Sequence, residues 1–469
     1  MKYCCYKSFS ARVNPQDLFV RFKDDSLPFL LESGRGVRDK GRYSFFSSGP
    51  FLTFRVINGR CFQESDGVVS ALNGSPLSVL RGLLSQYCLE GLRLHDIPLL
   101  CGAVGFFAYD FGFSFEKIQR FNAPDRVLAD CVFGFYDWMA CVDHLENKVV
   151  VFSSGFPEKG SARTLRAARR LKFVLGRLKG ASCAKRNYHV GSFCERREIV
   201  SNFSKGAYLD AVETVKEHIA RGDIYQANLS QRFKVSLGLD DWMLYRRLSK
   251  KLPVSFSAFF KDGAMSIISA SPEMFLEYDG RVVLTRPMKG TRPRAQDKRS
   301  NRKLKQELVH SAKEKAELLM IVDLERNDLG RVCEYGSIRV NHLRKIESYR
   351  GIFQAIAEIG GVLHAKKDRL DLIKACFPGG SVTGAPKIAA MEVIERLEPH
   401  ARGIYTGSLG FLSFHNTLEF NILIRSFLKY NDEVSFHVGG GIVTDSHPVR
   451  EHEETLVKAE ALMETLTGL

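Results

Sequence analysis

The order of its strand-like and helix-like segments limits the possible folds of this chain more than any other feature. The two kinds of segment are mixed along 469 residues, without the regular strand–helix–strand alternation of a doubly wound parallel sheet. We find no internal repeat and no low-complexity tract. The sequence therefore predicts an α+β fold, and its length fits two or three domains or one large fold with an elaborated core.

Three regions of the chain differ in composition and in secondary-structure pattern. Residues 1–155 have short strand and turn patterns, including a hairpin-like run over 42–56 and an apolar, glycine-punctuated run over 99–112. Residues 156–203 are rich in Gly, Ser and Arg and predict a connector. Residues 204–469 open with a helix that Ser204 is expected to cap. We therefore expect an N-terminal domain, a basic connector and a second domain with these boundaries.

The third region carries the clearest secondary-structure patterns. The expected strands cover 266–271, 281–285, 417–427 and 433–438, and the expected helices cover about 302–325, 386–397 and 452–466. Pro386 suits the first turn of its helix.

The basic charge of the chain is concentrated in one segment. The formal net charge is +15, and residues 162–187 contain nine Lys or Arg and no acidic residue. Leu171, Val174, Leu175 and Leu178 have helical spacing there, which predicts a solvated basic helix with one buried face. Because no zinc-finger, RRM or KH pattern is present, we expect no nucleic-acid partner. An anionic substrate or an acidic partner is an alternative use of the charge.

Neither a membrane segment nor a disulfide framework is predicted. The longest apolar run, over 99–109, is interrupted by two glycines and is far shorter than the roughly 20 residues that span a bilayer. The first residues contain no apolar stretch typical of a secretory signal. The 11 cysteines are scattered and form no C-x-x-C pair, which indicates reduced thiols. We expect a cytoplasmic enzyme.

Two glutamate pairs have equal spacing. Glu314 and Glu317, like Glu451 and Glu454, lie three residues apart, so on a helix each pair would share one face. Oxygen ligands of this kind suit Mg²⁺, although two solvated helix faces would give the same pattern.

Two glycine-rich segments are candidate anion-binding turns. Residues 377–387 lead into a predicted helix, and residues 437–443 place three glycines after a predicted strand. Neither matches a P-loop or a dinucleotide fingerprint, so a turn or a bulge remains an alternative for each.

Glu273 and Lys289 are a candidate acid and a candidate nucleophile. If the strands before them pair as a hairpin, the two side chains would share a pocket. Burial would raise the pKa of a glutamate and lower that of a lysine, which activates each for its role. A surface lysine in a basic loop is the alternative.

Taken together, eight segments identify a family. In order and spacing they resemble the chorismate-utilising enzymes over residues 204–466. They are GDIYQANLSQRF, SPE, RPMKGTRPR, AELLMIVDLERNDLGRV, FPGGSVTGAPK, YTGSLGF, ILIRSF and GGGIVTDS. LLES, GRYSF and GFFAYDFG in the N-terminal region resemble the accompanying domain of the large subunits of anthranilate and aminodeoxychorismate synthases. The resemblance implies antiparallel sheets flanked by helices.

Two positions distinguish the branches of this family. Isochorismate and salicylate synthases resemble each other in a water-activating lysine where this chain has Gln226. Anthranilate synthases usually have alanine where this chain has Lys289, as aminodeoxychorismate synthases do. The resemblance implies that the Lys289 amine attacks C2 of the ring while Glu273 protonates the departing C4 hydroxyl. Ammonia then enters at C4 and expels the lysine, which gives 4-amino-4-deoxychorismate for p-aminobenzoate and folate synthesis.

The resemblance also implies the remaining site residues. Glu317 and Glu454 would bind Mg²⁺ directly, and Glu314 and Glu451 through water. Ammonia would come from a separate glutamine amidotransferase. The residues implied to bind the substrate chorismate are Gln226, Thr291, Thr383, Tyr405, Arg425, Gly439, Gly440 and Lys458.

Two departures from the family pattern leave alternatives open. The family usually has a histidine beside the ring where this chain has Gln354, and residues 252–256 replace a segment that lines a tryptophan site. An anthranilate synthase large subunit with an unusual Lys289 is a second expectation. A catalytically silent chorismate-binding subunit is a third, against which the intact Glu273, Lys289 and four glutamates weigh.

Overall fold

A computed structural model of the chain describes residues 3–33, 41–89, 91, 94, 96–116, 118–122, 128–179, 198–294, 297–348 and 352–467. Up to residue 179 the elements are β1 Cys5–Ser10, α1 Pro15–Phe19, β2 Phe29–Glu32, β3 Tyr43–Ser47, β4 Leu52–Ile57, β5 Arg60–Ser65, β6 Val68–Leu72, α2 Pro76–Ser85, β7 Gly102–Phe107, β8 Cys131–Tyr136, β9 Trp138–Asp143, β10 Lys148–Ser153 and α3 Gly160–Lys179.

From residue 198 to residue 310 the elements are β11 Val200–Ser201, α4 Lys205–Ala220, β12 Gln226–Ser236, α5 Asp241–Lys251, β13 Phe256–Asp262, β14 Met265–Ser271, β15 Met274–Tyr278, β16 Val282–Arg286, β17 Met288–Pro293 and α6 Lys298–His310. The remaining elements are α7 Ala312–Gly330, β18 Arg339–Ser348, β19 Ile352–Val362, α8 Arg369–Cys376, β20 Gly384–Ala385, α9 Lys387–Leu397, β21 Ser408–Ser413, β22 Leu418–Asn421, β23 Ser426–Tyr430, β24 Glu433–Ile442 and α10 Pro448–Thr467.

The strands form two large antiparallel sheets, each of 12 strands among the described residues. Sheet 1 has the order β1-β10-β9-β3-β2-β13-β14-β23-β24-β12-β11, with β20 also paired to β12. Sheet 2 has the order β17-β19-β16-β15-β22-β21-β7-β8-β4-β5-β6, with β18 also paired to β19. The α+β prediction, with antiparallel sheets flanked by helices, is confirmed.

The two faces of sheet 1 pack against different layers, because successive side chains of a strand point to opposite faces. Phe260 belongs to the core between the sheets, and its ring centroid lies 5.9 Å from that of Phe106 in sheet 2. Its neighbour Phe259 belongs to a second core on the outer face, with its ring centroid 5.8 Å from that of Phe19 in α1. Sheet 1 is thus buried between sheet 2 and a layer of helices.

Both sheets contain strands from either side of the predicted connector. In sheet 1, β2 pairs with β13, and in sheet 2, β7 pairs with β21. The domain boundaries 1–155, 156–203 and 204–469 remain a prediction. Hydrogen bonds between strands join the first and third of these regions in both sheets.

The basic helix predicted over 162–187 is present as α3 up to Lys179, and residues 180–187 lie outside the described part. Val174 and Leu178 are buried against sheet 1, and Leu171 and Leu175 pack there partly buried, as predicted. Arg166 and Arg170 each lie 3.2 Å from Oδ2 of the buried Asp137. These ion pairs attach the helix to the sheet. Arg166 and Arg170 are two of the nine basic residues of this segment, so part of its positive charge has a structural role.

The hairpin predicted over 42–56 is wrong. The strand β3 pairs with β2 and β9 in sheet 1, whereas β4 pairs with β5 and β8 in sheet 2. Between them Gly49 adopts a φ of +60°. The turn therefore carries the chain from one sheet to the other rather than back along the same sheet.

Two other predicted elements are each divided in the structure. The strand expected over 417–427 is β22 in sheet 2 and β23 in sheet 1, separated by Arg425 with a φ of +50°. The helix expected over about 302–325 is two helices, α6 and α7, because Ser311 ends the first and caps the second. Pro386 precedes α9 as its N-cap residue instead of lying in its first turn.

No helix in the described part of the chain is long and apolar enough to cross a membrane. The nine cysteines in that part are all free thiols.

The cap predicted at Ser204 is confirmed, and it gives a test of local stability. The backbone N–H of Ala207 donates to Ser204 Oγ across 3.2 Å. We expect Ser204→Ala to lower the free energy of unfolding by about 1 kcal/mol, because the N–H group then loses its acceptor. Ser204→Asp, which keeps an acceptor, is the matched control. Equal urea midpoints for the wild type and the alanine variant would contradict a stabilising cap.

Candidate active site

Glu273 lies where the chain passes from sheet 1 to sheet 2. β14 ends at Ser271 in sheet 1, and β15 begins at Met274 in sheet 2. The strand before Glu273, β14, and the strand before Lys289, β16, do not form the hairpin considered above. Instead, β16 pairs with β15. The strand β15 was not predicted. It places Met274 opposite Arg286 and so brings Glu273 close to the start of β17.

Glu273 has the environment of a proton donor. Its side chain is buried, and Ser381 Oγ donates to its Oε1 across 2.6 Å. Burial raises the pKa of Glu273 to about 7, although the hydrogen bonds from Ser381 and the Met288 N–H and the charges of Lys289 and Arg425 oppose the shift. A carboxyl with such a pKa keeps a proton at near-neutral pH and can donate it to a leaving group.

Lys289 lies on β17 with its amine inside the site. Burial lowers the pKa of Lys289; the charge of Glu317, whose Oε2 lies 3.9 Å from Nζ, opposes this, and the charge of Lys458 adds to it. Two arginines near Lys289 in the sequence form ion pairs with other carboxylates. Arg286 pairs with Glu347, and Arg292 pairs with Glu314. A lysine with a lowered pKa supplies neutral amine more readily, as a nucleophile requires.

Gln226 and Gly441 line the same space as Lys289. A Cβ added at Gly441 would lie 3.0 Å from both Lys289 Nζ and Gln226 Nε2. The Gln226 side chain is fully buried, and neither its Nε2 nor its Oε1 has a hydrogen-bond partner among the described residues. Because buried amides normally form hydrogen bonds, this group is free to bind a polar ligand beside the amine.

The glutamates of α10 converge on the glycine segment of β24. A Cβ added at Gly440 would lie 3.5 Å from Glu451 Oε2 and 3.7 Å from both Glu454 Oε1 and Lys458 Nζ. Ser446 Oγ donates to Glu451 Oε1 across 2.7 Å. Burial, followed by the charge of Glu454, raises the pKa of Glu451. The carboxylates of Glu451 and Glu454 therefore lie close together and present their oxygen atoms beside Gly440.

The glutamates of α7 face basic side chains. Glu314 accepts hydrogen bonds from Arg292, with Nη1 2.8 Å from Oε1, and Glu317 lies 3.9 Å from both Lys289 and Lys313. In the described part of the chain, no three His, Cys, Asp or Glu side chains converge in a ready-made metal site. Mg²⁺ needs only one or two carboxylates, with water and substrate oxygens as further ligands, and the Glu451–Glu454 pair fits that requirement.

Tyr405 lies on a turn that a buried ion pair holds in place. Arg402 donates to both carboxylate oxygens of Glu398, at 2.9 and 2.7 Å, and also to the backbone carbonyls of Val382 and Asn228. The Tyr405 ring stacks on His437 at 4.9 Å, and burial raises the pKa of its phenol to about 12. The phenol is therefore neutral and can donate a hydrogen bond to a ligand.

The other predicted substrate-binding residues occupy different settings. The guanidinium of Arg425 forms no hydrogen bond with a described residue, and its charge acts on Glu273. Lys458 donates to Gly439 O and pairs with Glu454. The Thr383 hydroxyl donates to Gly379 O and Gly380 O within its own turn, and Thr291 is exposed on β17.

One residue of the site, Ser381, was not predicted. It lies in the glycine-rich segment, but its contact with Glu273 spans 108 positions of sequence and nothing local indicates it. Gln354 lies on β19 opposite Thr291 of β17, and its buried Oε1 has no partner among the described residues. A second amide oxygen near β17 is thus available to a ligand.

A separate cavity of about 890 Å³ lies away from Lys289 and Glu273. Its lining includes Glu32 and Ser33 of the LLES segment and Ser255 and Phe256 of the segment 252–256. The LLES segment therefore meets residues 252–256, which replace the family's tryptophan-site segment, at this cavity.

The combined site is polar, with an acid, an amine, carboxylates and cations around one space. Glu273 can give a proton, and Lys289 can act as a nucleophile or a base. Arg425, Lys458 and Tyr405 can bind carboxylates, for which a guanidinium offers a bidentate contact. Such a set suits a small anionic substrate.

Comparisons with known proteins agree with this chemistry. The family model described as chorismate binding enzyme matches residues 28–464. The chain is 34% identical over 439 residues to aminodeoxychorismate synthase component 1 of Bacillus subtilis (strain 168), covering 93% of this chain and 91% of that protein. It is 36% identical over 443 residues to anthranilate synthase component 1 of Thermus thermophilus, covering 93% and 92%.

A solved structure has the same architecture. The crystal structure of anthranilate synthase component I from Streptococcus pneumoniae TIGR4 matches with a TM-score of 0.80 and 27% identity, over 96% of this chain and 97% of that one. The two kinds of synthase occur at similar identity among the relatives and do not decide between the branches. The chain belongs to the family of chorismate-binding enzymes.

Proposed function

We propose that this protein is component 1 of an aminodeoxychorismate synthase, which converts chorismate and ammonia to 4-amino-4-deoxychorismate and water. The observation that carries the proposal is the Lys289 amine, which lies beside Gln226 and Gly441 with a pKa lowered by burial. A small side chain at this position would leave no nucleophile in the pocket.

In the proposed first step Lys289 and Glu273 act together. The neutral amine of Lys289 forms a bond to C2 of the ring while the two conjugated ring double bonds shift and the bond from C4 to its hydroxyl breaks. Glu273 gives its proton to that hydroxyl, which leaves as water. The Ser381 hydroxyl, 2.6 Å from Glu273 Oε1, holds the carboxyl in place for this transfer.

In the second step ammonia bonds to C4, both double bonds shift back and the bond from C2 to the lysine breaks. Lys289 leaves as the neutral amine, and one proton of the ammonium group formed at C4 goes to the Glu273 carboxylate, so that atoms and charges balance. The name component 1 in the relatives fits a separate component, and we propose that a glutamine amidotransferase supplies the ammonia.

Mg²⁺ would neutralise and orient the ring carboxylate of the substrate. Glu317 and Glu454 would hold it directly. Glu451, whose carboxylate meets that of Glu454 at Gly440, and Glu314, which Arg292 already engages, would act through water. Lys458 and Arg425 would bind the remaining negative charge of chorismate.

An assay of the products tests the proposal. The purified chain is incubated with chorismate, magnesium and ammonium, and the products are separated and identified by mass and fluorescence. We expect 4-amino-4-deoxychorismate. Formation of anthranilate instead would assign the chain to the second branch, and no loss of chorismate would favour a silent binding subunit.

Anthranilate synthase is the second candidate. The pocket retains acid, cations and carboxylates whichever nucleophile enters, and several relatives of similar identity carry that name. Gln354 weighs against it, because an amide lies at the position where the family usually has a proton-handling histidine.

The magnesium assignment gives a prediction. We expect Glu454→Gln to raise the magnesium concentration needed for half-maximal activity by at least about tenfold, since a ligand becomes a neutral amide. Glu453→Gln, on the adjacent exposed position of α10, is the matched control, because consecutive helical residues do not share a face. Binding of Mn²⁺, followed by electron paramagnetic resonance, is a second readout. An unchanged metal affinity would remove Glu454 from the ligand set.

A further inference from the structure

We propose that Glu325 is a positioning residue for Glu273: a second buried carboxyl, packed under the turn that holds the acid, which keeps Glu273 protonated as the pH rises. The inference rests on the proposed acid role of Glu273. Glu325 lies on α7, eight residues after Glu317, and the mechanism above does not use it.

Contacts connect Glu325 to the acid through one turn. A Cβ added at Gly380 would lie 3.5 Å from Glu325 Cγ, so α7 packs directly against the backbone there. The next residue, Ser381, donates to Glu273 Oε1 across 2.6 Å. On the other side, Thr285 Oγ1 donates to Glu325 Oε2 across 2.8 Å. Glu325 is thereby held with its carboxyl buried on the far side of this turn.

The charged groups around Glu325 are few and mostly engaged. Asp328 lies on the same helix and pairs with Lys387 at the start of α9, with 2.6 Å between Asp328 Oδ2 and Lys387 Nζ. Lys387 also donates to Cys376 O at the end of α8 across 2.8 Å. From the active-site side, Glu273 acts on Glu325 through its charge. Burial, then the charges of Glu273 and Asp328, raise the pKa of Glu325 to about 8 against the opposition of Thr285 and Lys387.

Two interacting carboxyls in a buried region do not lose their protons independently. A charge on either one disfavours ionisation of the other, so the pair loses its protons in two successive steps. Above pH 7, some protein molecules have lost one of the two protons, and in a part of these the charge is on Glu325 while Glu273 keeps its proton. The proposed chemistry needs that proton, and Glu325 thus extends activity to higher pH.

The Glu325→Gln variant tests this directly, because it keeps the shape of the side chain and removes its charge. The rate of chorismate loss is measured from pH 6.5 to 8.5, whichever product forms. We expect the ratio of wild-type to variant kcat/KM to grow about two- to fivefold across this range, with the descending limb shifted to lower pH. Asp323→Asn, an exposed carboxylate of the same helix, is the matched control and should give a constant ratio.

Two further measurements keep the outcome clear. Thr285→Val should shift the limb in the same direction by less, because Glu325 then loses the hydrogen bond that favours its charge. Infrared titration without substrate should show a carboxyl band that Glu325→Gln removes and that titrates at lower pH in Glu273→Gln. A ratio that does not change with pH, or a band indifferent to Glu273→Gln, would overturn the inference. Failure to consume chorismate would refute the proposed function, and the infrared result would still decide the coupling.

Discussion

The Glu273→Gln variant is expected to consume chorismate 10²–10⁴ times more slowly than the wild type, which is the usual contribution of a positioned general acid. The amide has the size of the carboxyl and can still accept the hydrogen bond from Ser381, but it has no acidic proton for the C4 hydroxyl. The decrease should therefore be in kcat, with chorismate still bound. Stopped-flow measurement of chorismate loss gives the rate, and calorimetry gives the affinity for chorismate, for both the wild type and the variant.

The pH profile provides the control for this variant. Because burial raises the pKa of Glu273 to about 7, the protonated acid is present below that pH and is lost as the pH rises through it. The wild-type rate should fall along that limb, and the residual rate of the variant should not. Ser381→Ala should slow the reaction less, since the acid remains. A variant with wild-type kcat would remove Glu273 from the chemistry.

The Lys289→Ala variant is expected to lose the aminated product by a factor on the order of 10³, because an amine held beside the ring has a far higher effective concentration than free ammonia. Glu273 and the carboxylate-binding cations remain, so ammonia can still attack C2 slowly. That attack would give the 2-amino isomer and shift the product toward the anthranilate branch. Product analysis by mass and retention time measures both effects.

Intact-protein mass spectrometry gives independent evidence on the same residue. With chorismate and magnesium but no ammonia, the wild type should gain the mass of chorismate minus water, and Lys289→Ala should not. Lys313→Ala is the matched control, since Lys313 also lies 3.9 Å from Glu317 but is exposed. An unmodified wild type, together with an undiminished alanine variant, would exclude covalent catalysis by Lys289 and reopen the choice of branch.

Local signals in the sequence predicted some elements well. The Ser204 cap, the start of β14 and the end of α9 agree with prediction to within a residue or two, because each depends on neighbouring residues. Glu273 and Lys289 were found from their motifs, and the structure places them close together. A motif identifies residue types at fixed spacing and does not require knowledge of which strands pair.

The wrong predictions involve the path of the chain between the sheets. A turn at Gly49 has the same local sequence signals whether the strands beside it pair or enter different sheets. The strand β15 is only five residues long and lies between two turns, so it has too little periodicity to detect. Ser381 was missed because its partner is distant in sequence, and burial of Glu325 depends on packing of α7 against Gly380.

The pairing of β12 with β24 joins residues 226–236 to residues 433–442, and β13 pairs with β2 at 29–32. Loops of some 200 residues must close before such strands meet, and non-local pairing of this kind slows folding. During synthesis, Gln226 lacks its neighbour Gly441 until more than 200 further residues have been added to the chain. The pocket around Gln226 and Gly441 is consequently among the later parts of the molecule to form. Chorismate added during refolding can therefore stabilise only the protein in which this pocket is complete.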